Sequence, residues 1–163
     1  MKMALKEKGL FGAGCFWSVE ASFRKIPGVS EAICGYSGGH TNGPTYNDIC
    51  TGKTGHAEVV QVEYDPSQIT YDALLDAFWS CHNPTTLNQQ GLDIGSQYRS
   101  VIFYFTEEQK IIARSSKIKL QPEKCEPIVT EILPATEFYR AEEYHQKYFE
   151  KKNLTNNHDA NSY

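Results

Sequence analysis

FGAGCFWSVEASF, residues 11–23, leaves an apolar stretch, passes through Gly12-Ala13-Gly14 and enters a helical rhythm, with Cys15 at the changeover. From there Phe16, Val19, Phe23 and Ile26 recur at spacings of three, four and three, one face of a helix. Pro27-Gly28 cannot continue it. A strand is expected ahead of the helix, over 3–12, and another behind it, from Val29 to Tyr36. The quoted stretch is therefore the pivot of a strand, helix, strand unit.

Moving outward, Ser37-Gly38-Gly39 opens a loop that runs to Pro44, and Thr45 to Cys50 reads as a short helix or turn. From Ala57 to Asp65 the alternation puts Glu58, Val60, Val62 and Tyr64 on one face of a strand and Val59, Gln61 and Glu63 on the other. Glu58 thus falls on the apolar side. Thr70 caps a helix whose Tyr71, Leu74, Leu75, Phe78 and His82 keep helical spacing until Asn83-Pro84. The polar segment Pro84 to Gln97 is longer than most connections, a mark of functional loops. Tyr98 to Phe105 is an apolar strand, and Thr106-Glu107-Glu108-Gln109 is a capping box opening a helix with Ile111, Ile112 and Ile118. Ile128 to Leu133 reads as a last core strand, Glu142 to Glu150 as a final helix, and the chain is polar from Lys151 onward.

The order of elements up to Phe105 is the split βαβ pattern, so the expected class is α+β: a ferredoxin-like two-layer α/β sandwich with added C-terminal elements. One catalytic domain over 1–150 and a polar tail over 151–163 are expected. At 163 residues, 40% hydrophobic and 22% charged, the composition is that of a soluble globular domain. A net charge of −4 with scattered Lys and Arg argues against nucleic acid as a partner. Lys6, Glu7 and Lys8 interrupt the place where a signal peptide would turn apolar, so no membrane association and a cytoplasmic location are expected.

Five cysteines, Cys15, Cys34, Cys50, Cys81 and Cys125, form neither a disulfide framework nor a paired zinc or redox motif, and no metal site is expected. Cys15 stands apart. At the first turn of a helix, unpaired N–H groups and the positive end of the dipole face its sulfur, which favours the thiolate. The bland alternative is a core cysteine behind a glycine turn. Phe16 shares the buried face with Val19 and Phe23, so Trp17 is left to line a pocket beside the sulfur.

GCFW (14–17), GYSGG (35–39), PTY (44–46), TGHAE (54–58) and GSQYRS (95–100) follow one another in an order that resembles the peptide-methionine (S)-S-oxide reductases, the methionine sulfoxide reductase A family. The resemblance spans about Lys8 to Lys152 and implies a fold of the same sandwich type, no cofactor, and methionine sulfoxide, free or in oxidised proteins, as substrate. It gives Cys15 the attack on the sulfoxide sulfur and Glu58 the proton for the sulfoxide oxygen. Tyr46 and Tyr98 hydrogen-bond that oxygen, Phe16 and Trp17 wall the methyl group, and Asp93 holds the substrate side of the pocket. A thioredoxin- or glutaredoxin-type reductant is implied. Many members recycle the resulting Cys15 sulfenic acid with cysteines in a glycine-rich C-terminal tail. Here no cysteine follows Cys125 and residues 153–163 lack glycine. Either an external thiol reduces Cys15 directly, or one of Cys34, Cys50, Cys81 and Cys125 takes the resolving role.

The residue types suit the chemistry: a sulfoxide oxygen leaves only once protonated, and burial raises a carboxyl pKa toward neutrality. Two rival readings are a cysteine hydrolase, with Cys15 activated by one of His40, His56, His82, His145 and His158, and a non-catalytic ferredoxin-like ligand-binding module. His56 and His145 are read as structural.

Overall fold

The computed structural model describes residues 5–153. Its elements are β1 (Glu7–Ala13), α1 (Phe16–Arg24), β2 (Val29–Ser37), α2 (Tyr46–Cys50), β3 (Ala57–Tyr64), α3 (Tyr71–Ser80), β4 (Gln89–Gln90), β5 (Asp93–Ile94), β6 (Ser100–Tyr104), α4 (Glu107–Leu120), β7 (Glu131–Pro134) and β8 (Phe138–Arg140). Six strands form one sheet in the order β7-β6-β1-β3-β2-β8, and β4 and β5 make a separate small hairpin. β1 runs antiparallel to both β3 and β6, and β2 antiparallel to β3. Each helical crossover, α1 and α3, thus joins two strands of like direction that have one strand between them.

The periodicities explain the layers. Phe16, Val19 and Phe23 of α1, Leu74, Leu75 and Phe78 of α3 and Ala113 of α4 close over Phe11, Val60 and Val62 on one face of the sheet. The other face carries a smaller cluster of Leu10, Ala57, Val59, Val101 and Phe103, backed by Ala135 and Phe138. That second cluster exists because the sheet curls. Only residues 135–137 separate β7 from β8, which lie at opposite edges. Four Cα steps reach at most about 15 Å, whereas a flat six-stranded sheet is about 24 Å wide. At Gly35 the approach is tight, since a Cβ there would meet the Phe138 ring at 2.4 Å and the Tyr139 carbonyl oxygen at 2.6 Å.

The structure departs from the periodic reading in places where side chains compete with backbone. Within the long polar segment it forms the β4–β5 hairpin and a 3-10 turn over Ser96–Tyr98, so β6 begins at Ser100 and not at Tyr98. The last expected core strand shrinks to β7, paired parallel to β6, with Ile128 buried ahead of it. The expected helix over Glu142–Glu150 is replaced by a 3-10 turn at Glu143–His145, a residue at positive φ, Lys147 (54°), and a helical stretch over 148–153. The Gln146 side chain accounts for the break: it accepts from Cys34 N–H at 2.9 Å and donates to the Cys34 carbonyl at 2.9 Å, in the manner of a strand partner. Of the expected polar tail, 151–153 belong to that helical stretch and the remainder lies outside the described residues, as do Met3 and Ala4. Among the described residues no helix is long and apolar enough to cross a membrane.

Candidate active site

Gly14 makes the turn from β1 into α1 with φ +93°, and a Cβ there would lie 2.7 Å from the Gln90 side chain, so only glycine fits between the two segments. Cys15 follows as the N-cap residue of α1. Its sulfur faces the N–H groups of Trp17 and Ser18. The next amide, that of Phe16, donates to Glu58 Oε1 at 3.2 Å. Thiol and carboxyl therefore share the orphan donors of a single helix end. β3 supplies Glu58 from the face that also carries Val60, Val62 and Tyr64, and only 2% of it is exposed. The alternation placed this residue correctly.

The electrostatics correct one expectation. Burial pushes the Cys15 thiol up to about 11, helped by the charges of Glu58 and Asp93, and outweighs the Trp17 and Ser18 N–H groups that favour the thiolate. At neutral pH this favours the thiol over the thiolate. Burial likewise pushes Glu58 up to about 7, against the Phe16 N–H and with the Asp93 charge. Between those two values the pair holds one proton. Asp93 is exposed in the small hairpin, yet its charge is felt by Cys15, Glu58 and Tyr98.

Tyr46 opens α2, whose Thr45 and Asp48 form a capping box. Its phenol is pushed up by burial and by the neighbouring Cys50 sulfur, then by Glu58 and Tyr98. Burial and Glu58 push Tyr98 up to about 12. Both phenols stay protonated and remain hydrogen-bond donors through neutral pH. Arg99 fixes the Tyr98 turn by donating to the carbonyls of Ser96 (2.9 Å) and Gly55 (3.0 Å) and pairing with Glu131 (3.1 Å). His56 accepts from Gly39 N–H at 2.9 Å and bonds the Thr41 carbonyl, which ties the glycine loop to β3.

Phe16 is buried and Trp17 half-buried, as the helical face required. What the periodic reading missed is the support for Trp17. Its indole Nε1–H donates to His145 Nδ1 at 3.0 Å, and its ring stacks on Tyr148 at 3.8 Å and 8°. His145 packs against Phe16 (5.0 Å), Tyr46 (4.5 Å) and Tyr144 (4.1 Å), and burial holds it below its ordinary pKa. The neutral imidazole thus accepts at Nδ1 and carries its proton on Nε2. Glu142, expected to start a helix, instead accepts from the Tyr36 hydroxyl at 2.8 Å and from Tyr46 N–H at 2.9 Å. Aromatic density at 144–149 was the available signal.

A concavity of about 870 Å³ between α4 and β7 contains none of these residues. No group of three or more His, Cys, Asp or Glu among the described residues could hold a metal ion.

A family model described as peptide methionine sulfoxide reductase matches residues 7–162. The chain belongs to that family. It is 60% identical to peptide methionine sulfoxide reductase A2-1 of Oryza sativa subsp. japonica over 145 residues, 89% of this chain and 78% of that one. Its fold is similar to that of reduced Mxr1 from Saccharomyces cerevisiae, with a TM-score of 0.87 and 37% identity over 92% of this chain and 87% of that one. The same protein in complex with Trx2 gives a TM-score of 0.65 and 29% identity over 90% and 87%. As a methionine sulfoxide reductase, the protein reduces methionine sulfoxide to methionine at the expense of a thiol.

Proposed function

We propose that Cys15, Glu58, Tyr46 and Tyr98 carry out this reduction, with Phe16, Trp17 and Asp93 shaping the substrate pocket and selecting the S epimer. Tyr46 and Tyr98 donate to the sulfoxide oxygen and the methyl group lies against Phe16 and Trp17. Glu58 gives its proton to the oxygen as Cys15 sulfur attacks the sulfoxide sulfur. A sulfur–sulfur bond forms first; the hydroxyl then passes to Cys15 sulfur as the S–O bond and the new S–S bond both break, leaving methionine and a Cys15 sulfenic acid. The thiol proton ends on that oxygen, so Glu58 finishes as it began. The reactive form, thiolate with neutral carboxyl, carries the same single proton as the resting thiol with carboxylate. The positive sulfur of the sulfoxide, brought beside Cys15, shifts the proton toward Glu58.

The observation that carries this reading is the buried Glu58 carboxyl, pushed up to about 7 and bonded to the amide next to Cys15. A single-turnover assay with separated epimers on Glu58→Gln tests it. Methionine release should slow by about 10² or more, with the S epimer alone turned over. An unimpaired variant would remove Glu58 from the chemistry.

Recycling needs a thiol. Cys34 is closed off, fully buried with its S–H donating to Glu20 at 3.2 Å, and Cys81 and Cys125 line a separate cavity. Cys50 is exposed, one helical turn from Tyr46 on the same face of α2. An outside thiol reaches the Cys15 sulfenic acid directly or through Cys50, and the mass of the protein after one equivalent of sulfoxide separates the routes. The Trx2 complex of the yeast relative supports a thioredoxin-type reductant. Exposed Leu87, Leu92 and Ile94 around the β4–β5 hairpin support protein-bound substrates. The antiparallel order β6-β1-β3-β2 supports a ferredoxin-like core within one catalytic domain, and five unpaired thiols support a cytoplasmic location.

A further inference from the structure

Glu20 sits on the buried stripe of α1, one turn after Phe16, where an apolar side chain is expected, and it is only 2% exposed. Such a carboxylate is retained only if its partners satisfy it. Its Oε2 accepts from Lys147 N–H at 2.9 Å and from the Cys34 thiol at 3.2 Å, and Arg24 Nε lies 3.9 Å from Oε1. Lys147 is the non-glycine residue at φ 54°, a conformation L residues adopt at a cost. Its side chain is exposed, so the backbone alone engages Glu20. On one side of Lys147 stand Gln146, paired with the Cys34 backbone, and His145, which holds the Trp17 indole; on the other stands Tyr148, stacked on the Trp17 ring.

We propose that Glu20 is a positioning residue: its carboxylate offsets the strain at Lys147 and so sets His145 and Tyr148, the two groups that hold Trp17 in the methyl-binding wall. α1 then carries both the wall and its brace. Trp17 contacts His145 and Tyr148, and Glu20, less than one helical turn later on the same helix, fastens Lys147 between them. A charge-assisted bond from a rigid helix fixes the turn more tightly than solvent would.

The inference rests on the assignment of Trp17 to the methyl wall, so its test includes a readout that does not depend on activity. The protein has two indole N–H groups: Trp17 bonded to His145, and Trp79 bonded to Ser116 Oγ at 2.7 Å. In Glu20→Ala, hydrogen exchange at the Trp17 indole should accelerate about ten-fold while Trp79 is unchanged, and KM for methionine sulfoxide should rise about ten-fold with kcat nearly constant. Glu20→Gln, which keeps an acceptor for Lys147 N–H, should recover most of both. Adding Lys147→Gly to Glu20→Ala should also restore KM, because glycine takes the positive φ without strain. Parallel acceleration at both indoles, or no rescue by Lys147→Gly, would reduce Glu20 to a residue of general stability. Normal indole exchange in Glu20→Ala would overturn the proposal outright. Altered exchange with unchanged KM would sink the Trp17 assignment and leave Glu20 as its brace.

Discussion

The helix end that holds Cys15 and Glu58 and the C-terminal segment 138–148 both build the site, but by different means. In the first, backbone N–H groups of α1 and the regular pleat of β3 place a thiol and a carboxyl. In the second, nothing regular lasts more than three residues, and side chains reach across the sequence to backbone: Glu142 to Tyr46, 96 positions apart, Gln146 to Cys34, 112 apart, and Glu20 to Lys147, 127 apart. The thiol and carboxyl proposed to react are positioned by secondary structure, while the side chains that brace the proposed pocket are positioned by tertiary hydrogen bonds. The first region should thus respond to substitution in its chemistry, the second in binding and stability.

The sharpest break of that distinction would come from Cys15→Ser. Methionine release should fall to background, measured as product after a single turnover, while urea unfolding stays near that of the parent because a half-buried sulfur is exchanged for an oxygen of similar size. A large loss of stability would mean that the helix end also holds the fold together.

Glu58→Gln comes next and should separate rate from stability in opposite directions. Glu58 is pushed from 4.5 up to about 7 in the folded protein. Its contribution is fully present below about pH 4.5 and is lost as pH rises through 7, since the native state binds the extra proton only in that window. The lost stabilisation is about 3 kcal/mol, so the parent should weaken against Glu58→Gln by that amount between pH 4.5 and 8 in paired urea titrations. The pH profile of kcat/KM follows from the same proton. The reactive pair exists between about 7 and about 11, so activity should rise through pH 7 and decline toward 11. In Glu58→Gln the break at pH 7 should vanish and the residual activity should rise with thiol ionisation toward high pH. A parent profile that instead falls through pH 7 would mean that Cys15 is already ionised in the free enzyme.

The same division governs what could be read ahead of the structure. Cys15, Phe16, Trp17 and Glu58 lie on elements whose period is visible locally, and the split order of strands and helices followed from it. Tyr46, Tyr98 and Asp93 sit in a first turn, a 3-10 turn and a two-residue strand, too short to show a period, and emerged only from the motifs that carry the family resemblance. His145 reads as structural, but what it supports, and the roles of Tyr148, Glu142 and Glu20, did not emerge. Their roles depend on partners about a hundred residues away, and the segment 142–150 has enough helical spacing to pass for a helix until the bonds of Gln146 are seen. The ionised thiol failed for a related reason: the dipole of a helix end is legible in sequence, but the burial that overrides it depends on the assembled site.

In the supporting segment, Gln146→Ala should cost about 1–3 kcal/mol by urea titration. The amide is 5% exposed and serves Cys34 N–H, the Cys34 carbonyl and the Ala141 carbonyl; the Cys34 carbonyl keeps Ala141 N–H, while the other two lose this partner. The damage should surface as a higher KM with kcat little changed, the reverse of Glu58→Gln. A drop in kcat of more than about ten-fold would show that the segment reaches the reacting atoms and erase the contrast.

The smallest effect is expected at Cys125. Its thiol is exposed and shares with Cys81 a cavity of about 560 Å³ lined by none of the groups assigned to the reaction. Cys125→Ser should leave stability within about 0.5 kcal/mol and steady-state turnover with a dithiol reductant within about two-fold, because it changes neither the pocket nor its braces. The measurement is informative in spite of its size. Turnover limited by recycling exposes any thiol that takes part in it, whereas single-turnover methionine release does not. A variant normal in single turnover but slow in steady state would place Cys125 in the path of electrons and add a third region to the two that build the site.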